Sequence, residues 1–116
     1  MNKAMSGKDL LDMVEVLAHE KSVDIDVVFG VVEVALATAI KRSTFPGEDA
    51  DVVVHIDRET GDYSAERRWL IVPDDQGLQE PDREEMYSDI HDDYPDLSEG
   101  DYIVRPVTPA HSDARR

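Results

Sequence analysis

The hydrophobic pattern of this chain changes its period once, and that change limits the folds open to it. Between residues 9 and 42 the apolar residues recur every three or four positions, which is the spacing of one helix face. Phe45-Pro46-Gly47 interrupts this pattern, and from Val52 onward apolar and polar residues alternate as in a half-buried strand. A helical first part followed by strands predicts an α+β fold.

The first part predicts two helices. Ser6, with Asp9 three positions later, is typical of an amino-terminal cap, and the helix that follows should end near Lys21. The second helix should run from Asp24 to Lys41. Its many valines favour a strand locally, but an 18-residue run with helical spacing is too long for an ordinary strand.

The rest of the chain predicts a small sheet. Residues 52–57 and 63–72 read as a β-hairpin, residues 82–90 as a short acidic helix, and Tyr102–Val104 as a third strand. Trp69 should be at least half buried beneath the helices, because large aromatic side chains dominate small cores. We therefore expect two amino-terminal helices, a β-hairpin, a short helix and a third strand, forming a small sheet covered by helices.

The charge of the chain constrains its partners. Twelve Lys and Arg against 27 Asp and Glu give a formal net charge of −15, so the surface as a whole should repel the phosphates of RNA and DNA. A basic protein partner, an acid-rich or halophilic setting, or solubility alone would suit this balance. The chain has no cysteine, and no apolar run approaches the ~20 residues that span a bilayer. We expect a soluble, cytoplasmic protein that contacts no membrane.

Catalytic motifs are missing from the sequence. His19, His55, His91 and His111 are scattered, and no second histidine stands at metal-ligand spacing from any of them. The sequence contains no nucleophile elbow, phosphate-binding loop or dinucleotide fingerprint. We predict a protein that is not an enzyme and that has no catalytic residue, metal site or cofactor.

Two basic pairs stand out from the acidic background. Lys41-Arg42 ends the second predicted helix, where it complements the helix dipole or meets a partner. Arg67-Arg68 precedes Trp69, and alternation places Arg67 on the same strand face as the indole. Both arginines are candidates for a partner surface. The alternative is a structural role, in which Trp69 packs in the core and the aliphatic parts of the arginines lie along it.

The two helices carry more apolar residues than one buried stripe requires. The surplus includes Leu11, Val27 and Val31, which we take as further candidates for a partner surface. The pattern does not indicate which of them are exposed.

Several segments together resemble one known family. Residues 35–39 read ALATA and are followed by Lys41-Arg42, residues 54–63 read VHIDRETGDY, and residues 100–102 read GDY. In this order and spacing they resemble the amino-terminal domain of the bacterial transcription factor NusA family. The resemblance covers residues 9–105 and predicts a NusA-like domain over 1–105, with 106–116 as a tail or the start of a truncated connecting helix.

The resemblance implies a docking function. A domain of this family would bind the flap-tip helix of the RNA polymerase β subunit near the RNA exit channel and modulate pausing, termination and antitermination. It also implies a monomer that contacts nascent RNA weakly, and only in the complex, through Lys41, Arg42 and Arg115. The alternative is a free-standing acidic interaction protein or nucleic-acid mimic, whose binding should collapse as salt rises.

Overall fold

The structure, a computed structural model, describes residues 6–108 and forms a mixed sheet with three helices. The helices are α1 (Gly7–Lys21), α2 (Ile25–Thr44) and α3 (Tyr87–Ile90). The strands are β1 (Asp51–Ile56), β2 (Tyr63–Val72), β3 (Glu84–Met86) and β4 (Tyr102–Val107). The predicted α+β class is confirmed.

The ends of the long helices follow from their capping residues. The Asp9 amide donates to Ser6 Oγ at 3.1 Å while the Asp9 carboxylate accepts from the Ser6 amide, which is the capping box that starts α1. The side chain of Asp24 accepts from the Asp26 amide at 2.8 Å and starts α2. Helix α2 runs three residues beyond the predicted end at Lys41.

Strand β2 is the centre of the sheet. Arg68 pairs with Asp51 of β1 and with Val104 of β4, so these two antiparallel strands lie on opposite edges of β2. Strand β3 pairs in parallel with Leu70–Val72. It lies on the same side of β2 as β1, beyond the last residue with which β1 pairs. The sheet therefore has four strands rather than the predicted three.

The predicted helix over residues 82–90 is wrong in its first part, where the chain forms β3. Strand β2 extends four residues beyond its last pair with β1, and the Leu70 amide of this extension donates to the Arg83 carbonyl at 2.8 Å. The buried Glu84 carboxylate accepts from the amides of Gln79 and Glu80 at 2.8 and 2.9 Å. Backbone pairing along this edge outweighs the weak helix propensity of the segment, and only α3 remains helical.

The core has two clusters on one face of the sheet. The first joins α1 and α2 to β1 and to the start of β2, and its buried members are Leu10, Val14, Ala18, Val28, Phe29, Ile40, Val54, Ile56 and Ala65. The second consists of Ile71, Ile90 and Ile103, with Trp69, Tyr87, Tyr94 and Leu97 packed against it. Both clusters lie on the face that we call the covered face.

Trp69 lies beneath a helix, but that helix is the short α3 rather than α1 or α2. Trp69 is partly buried and shares a face with Ile71 as the alternation predicts, but it packs in the second cluster. The residues over it come from α3 and from the segment that follows, which includes Tyr94 and Leu97. The alternation along β2 predicted the face on which Trp69 lies but not which element covers it.

The hairpin turn is fixed to the start of α1. Asp57 Oδ1 accepts from the amides of Glu59 and Thr60 at 2.8 and 3.1 Å, and these bonds lower the pKa of Asp57. Gly61 has a φ of 80°, and a Cβ there would overlap the backbone of Gly7. The turn and α1 therefore meet through two glycines.

Over the described part of the chain, no helix combines the length and the apolar character that crossing a membrane requires.

Candidate protein-docking surface

The outward face of α2 carries an exposed row of three valines. Val27, Val31 and Val34 are 56%, 63% and 68% exposed, and their spacing of four and three residues places them in one line along the helix. Phe29 and Ile40 of the same helix are buried in the first cluster. Helix α2 therefore has two apolar sides, of which only one is covered. We call Val27, Val31 and Val34 the valine stripe.

A shallow furrow runs beside the stripe, between α2 and β1. It consists of two depressions of about 210 and 220 Å³, which share Val34, Ala37 and Val52. Its floor is mainly apolar, and its charged lining residues are Glu33 towards one end and Lys41, Asp51 and Arg83 towards the other. The furrow meets the stripe at Val34, which lines both depressions.

The sequence-predicted apolar candidates divide between this surface and the core. Val27 and Val31 lie on the stripe, whereas Leu11 is partly buried and packs against the first cluster. Val34 was missed by the sequence reasoning. Its position three residues after Val31 and seven after Val27 was the signal that could have found it.

Arg67 lies inside the domain rather than at its surface. Its side chain is 11% exposed, and its guanidinium lies 4.6 Å from the ring centroids of both Phe45 and Trp69. It donates to the Asp82 carbonyl at 2.7 Å and pairs with Glu48 at 3.0 Å. Because Phe45 follows α2 and Trp69 belongs to the second cluster, Arg67 connects the two halves of the covered face.

Arg68 lies on the opposite face of the sheet. It pairs with Asp51 at 3.1 Å and stacks over Tyr102, whose ring centroid is 4.1 Å away. Tyr102 and Val104 are partly exposed on β4 beside it. The structure therefore does not bring Arg67 or Arg68 together with the valine stripe.

The basic end of α2 is partly neutralised. Lys41 Nζ lies 2.8 Å from Asp49 Oδ1, and Arg83 reaches the same oxygen at 3.2 Å. The hydrogen bond from Lys41, and then the charge of Arg83, lower the pKa of Asp49. Arg42 is exposed, and within residues 6–108 no carboxylate lies within 4.0 Å of its guanidinium. Arg115 lies outside the described residues.

Within residues 6–108, no three His, Asp or Glu side chains converge in a group that could hold a metal ion.

Two comparisons with known proteins bear on the family and the fold of the chain. The sequence model of the NusA N-terminal domain matches residues 9–116. The solution structure of the N-terminal domain of NusA from B. subtilis is similar in fold, with a TM-score of 0.61 and 26% sequence identity. That match covers 90% of this chain and 80% of the B. subtilis chain.

Proposed function

The chain belongs to the NusA N-terminal domain family, a family of transcription-factor domains, and on that basis we propose that it is the RNA-polymerase-binding domain of an elongation and termination factor. In this proposal it acts as a monomer in the cytoplasm. It docks on the flap-tip helix of the polymerase β subunit near the RNA exit channel and modulates pausing, termination and antitermination.

The observation that carries the proposal is the valine stripe. Three apolar side chains at i, i+4 and i+7 are the anchors by which one helix recognises another. The furrow beside them offers an apolar floor for side chains of the incoming helix. An exposed apolar row on an otherwise acidic domain is typical of a protein interface rather than of a solvated helix.

The contact with RNA in this proposal is weak and depends on docking. Arg42 is the more available cation, because Lys41 is held by Asp49. One or two phosphate contacts cannot overcome the repulsion of a chain with a net charge of −15. Docking would hold the nascent RNA nearby and raise its effective concentration, so that such a contact matters only in the complex.

Docking is tested by titrating a β-flap fragment into the domain in a calorimeter. The Val27→Gln, Val31→Gln variant should bind roughly 10- to 30-fold more weakly, because burial of each exposed valine against the flap helix should contribute on the order of 1 kcal/mol. The control is Val16→Gln, which changes a comparably exposed valine on α1. Affinity unchanged in the double variant, or reduced equally in the control, would contradict this surface.

The salt dependence of the same titration separates docking from an acidic mimic. An apolar contact keeps most of its affinity between about 0.1 and 0.5 M NaCl, because screening does not act on it. A collapse of the affinity over this range would favour the nucleic-acid-mimic alternative.

The RNA contact is tested in a paused-complex assay. Arg42→Glu should reduce the stimulation of pausing more than Lys41→Glu does, while binding to the flap fragment stays intact. Lys8→Glu is the control, since Lys8 is an exposed lysine near the start of α1. Equal effects of all three variants would show that only the net charge matters.

A further inference from the structure

A second cavity lies on the covered face of the sheet, away from the valine stripe. Its volume is about 200 Å³, and its lining includes the aromatic rings of Trp69 and Tyr94 and the buried side chains of Ile90 and Ile103. We call it the aromatic pocket. Neither α1 nor α2 contributes to its lining, so it is separate from the surface proposed for the polymerase helix.

The charged groups of the aromatic pocket are two carboxylates and one guanidinium, from Glu85, Asp93 and Arg105. Arg105 Nη2 donates to Tyr94 Oη at 2.9 Å, and its guanidinium carbon lies 5.9 Å from the Trp69 ring centroid. Two arginines of the chain therefore already lie beside the Trp69 ring, since the guanidinium carbon of Arg67 is 4.6 Å from its centroid. These positions are compatible with a further planar cation, which can approach an indole ring and donate to a phenol oxygen.

The surroundings of the pocket are the most acidic part of the chain. Residues 74–101 contain twelve Asp and Glu and a single Arg, a net charge of −11 within a total of −15. Anionic ligands are repelled from such a segment, and a neutral apolar ligand gains nothing from the two carboxylates. A cation with an apolar stem suits the pocket better, because the stem can pack on its apolar side chains and the positive charge is attracted by its carboxylates.

We propose that the aromatic pocket binds an arginine side chain from a basic segment of a protein partner. The guanidinium stacks on Trp69 and pairs with the carboxylates of Glu85 and Asp93, while the aliphatic stem packs on Ile90 or Ile103. Arginine suits this site better than lysine, because its planar fork both stacks and donates two parallel hydrogen bonds. Arg105 lines the pocket and competes with the incoming cation as a like charge, whereas Arg67, at the same indole, is nearly buried and paired with Glu48.

Trp69 gives a direct measurement, since it is the only tryptophan in the chain. The probe is the peptide Ac-GRGRGRG-NH2, titrated while the tryptophan fluorescence is followed at about 150 mM NaCl, where exposed charges more than ~8 Å apart are screened. A saturable change is expected. The acidic peptide Ac-GEGEGEG-NH2 should produce none.

Two variants with the same change in charge separate the pocket from diffuse attraction. Glu85→Gln with Asp93→Asn should weaken binding roughly tenfold or more, because both carboxylates face the bound cation. Asp75→Asn with Glu99→Gln alters two exposed carboxylates of the same acidic segment, outside the pocket lining, and should weaken it less than about twofold. Arg105→Ala should strengthen binding, because it removes the competing cation.

The proposal is overturned if no saturable change appears, if the acidic peptide binds as well, or if the two paired variants lose affinity equally. A circular dichroism melt of each variant checks that it is folded. The Val27→Gln, Val31→Gln variant should bind the arginine peptide normally. The two proposals are therefore tested separately: a failed flap titration would not contradict binding of the arginine peptide, and a failed peptide titration would not contradict docking on the flap.

Discussion

At the scale of single residues, Arg67 connects the two halves of the covered face. Its guanidinium lies between Phe45, which ends α2, and Trp69 in the second core cluster. Alternation along β2 correctly placed Arg67 and Trp69 on one face. The inward orientation was not predictable, since Phe45 and the Asp82 carbonyl come from distant parts of the chain.

Replacing Arg67 should destabilise the domain more than replacing another stacked arginine. Arg67→Ala should lower the free energy of unfolding by about 2–3 kcal/mol, because it removes two ring contacts and a charged hydrogen bond from a nearly buried site. Arg58→Ala is the control. Arg58 stacks on Phe29 at 4.3 Å and pairs with Asp26, but its side chain is 43% exposed, so it should cost under about 1 kcal/mol.

Urea unfolding of the two variants measures this difference. Arg67→Lys should restore only part of the loss, since lysine keeps the charge but not the planar stack. Equal midpoints for Arg67→Ala and Arg58→Ala would show that burial of the guanidinium contributes nothing.

Because the pKa of Asp57 is lowered in the folded state, we expect the stability of the domain to depend on pH. The amides of Glu59 and Thr60 hold its pKa below the ordinary value in the folded state. The stabilisation is thus complete above the unfolded pKa of ~3.9 and is lost as the pH falls through the folded pKa. Asp57→Asn keeps an accepting oxygen but does not titrate. Its urea midpoint should lie below that of the wild type at pH 6, and the gap should narrow below about pH 4. A gap that widens on acidification would contradict this sign.

At the scale of elements, the contact between α1 and the hairpin turn has no counterpart in local sequence patterns. Gly61 takes positive φ in the turn, at 80°, which is one reason for glycine at this position. A second reason for glycine at this position is that the backbone of Gly7 lies against it. These two residues are far apart in the sequence, so local patterns do not indicate the contact. Strand β3 was not predicted for the same reason, because its three residues form a strand only by pairing with β2.

Two glycine variants separate these reasons. Gly61→Ala and Gly47→Ala both place a Cβ at positive φ, near 80° in each case, which costs on the order of 1 kcal/mol. Only at Gly61 does the Cβ also overlap backbone atoms, whereas at Gly47 it meets nothing within 4 Å. Gly61→Ala should therefore lower the thermal midpoint by several degrees more than Gly47→Ala. Equal midpoints would mean that α1 and the turn separate easily.

At the scale of the whole molecule, the sheet is covered on one face and carries three surfaces of different chemistry. These are the valine stripe on α2, the aromatic pocket in the acidic half, and the Arg68–Tyr102 face of the sheet. The sequence predicted the helices, the hairpin and the surplus of apolar residues on α2, since each is a local periodicity. It could not predict the exposed side of α2, because exposure depends on how α1 and β1 pack against that helix.

Docking through the outward face of α2 can be mapped residue by residue with nuclear magnetic resonance. The ¹⁵N-labelled domain is titrated with an unlabelled β-flap fragment, and shifts of the backbone amide signals are mapped onto the fold. We predict that the largest shifts follow α2 from Val27 through Val34 to Arg42 and include Val52 across the furrow. Shifts centred on Tyr102 and Val104, or no shifts at saturating fragment, would contradict it.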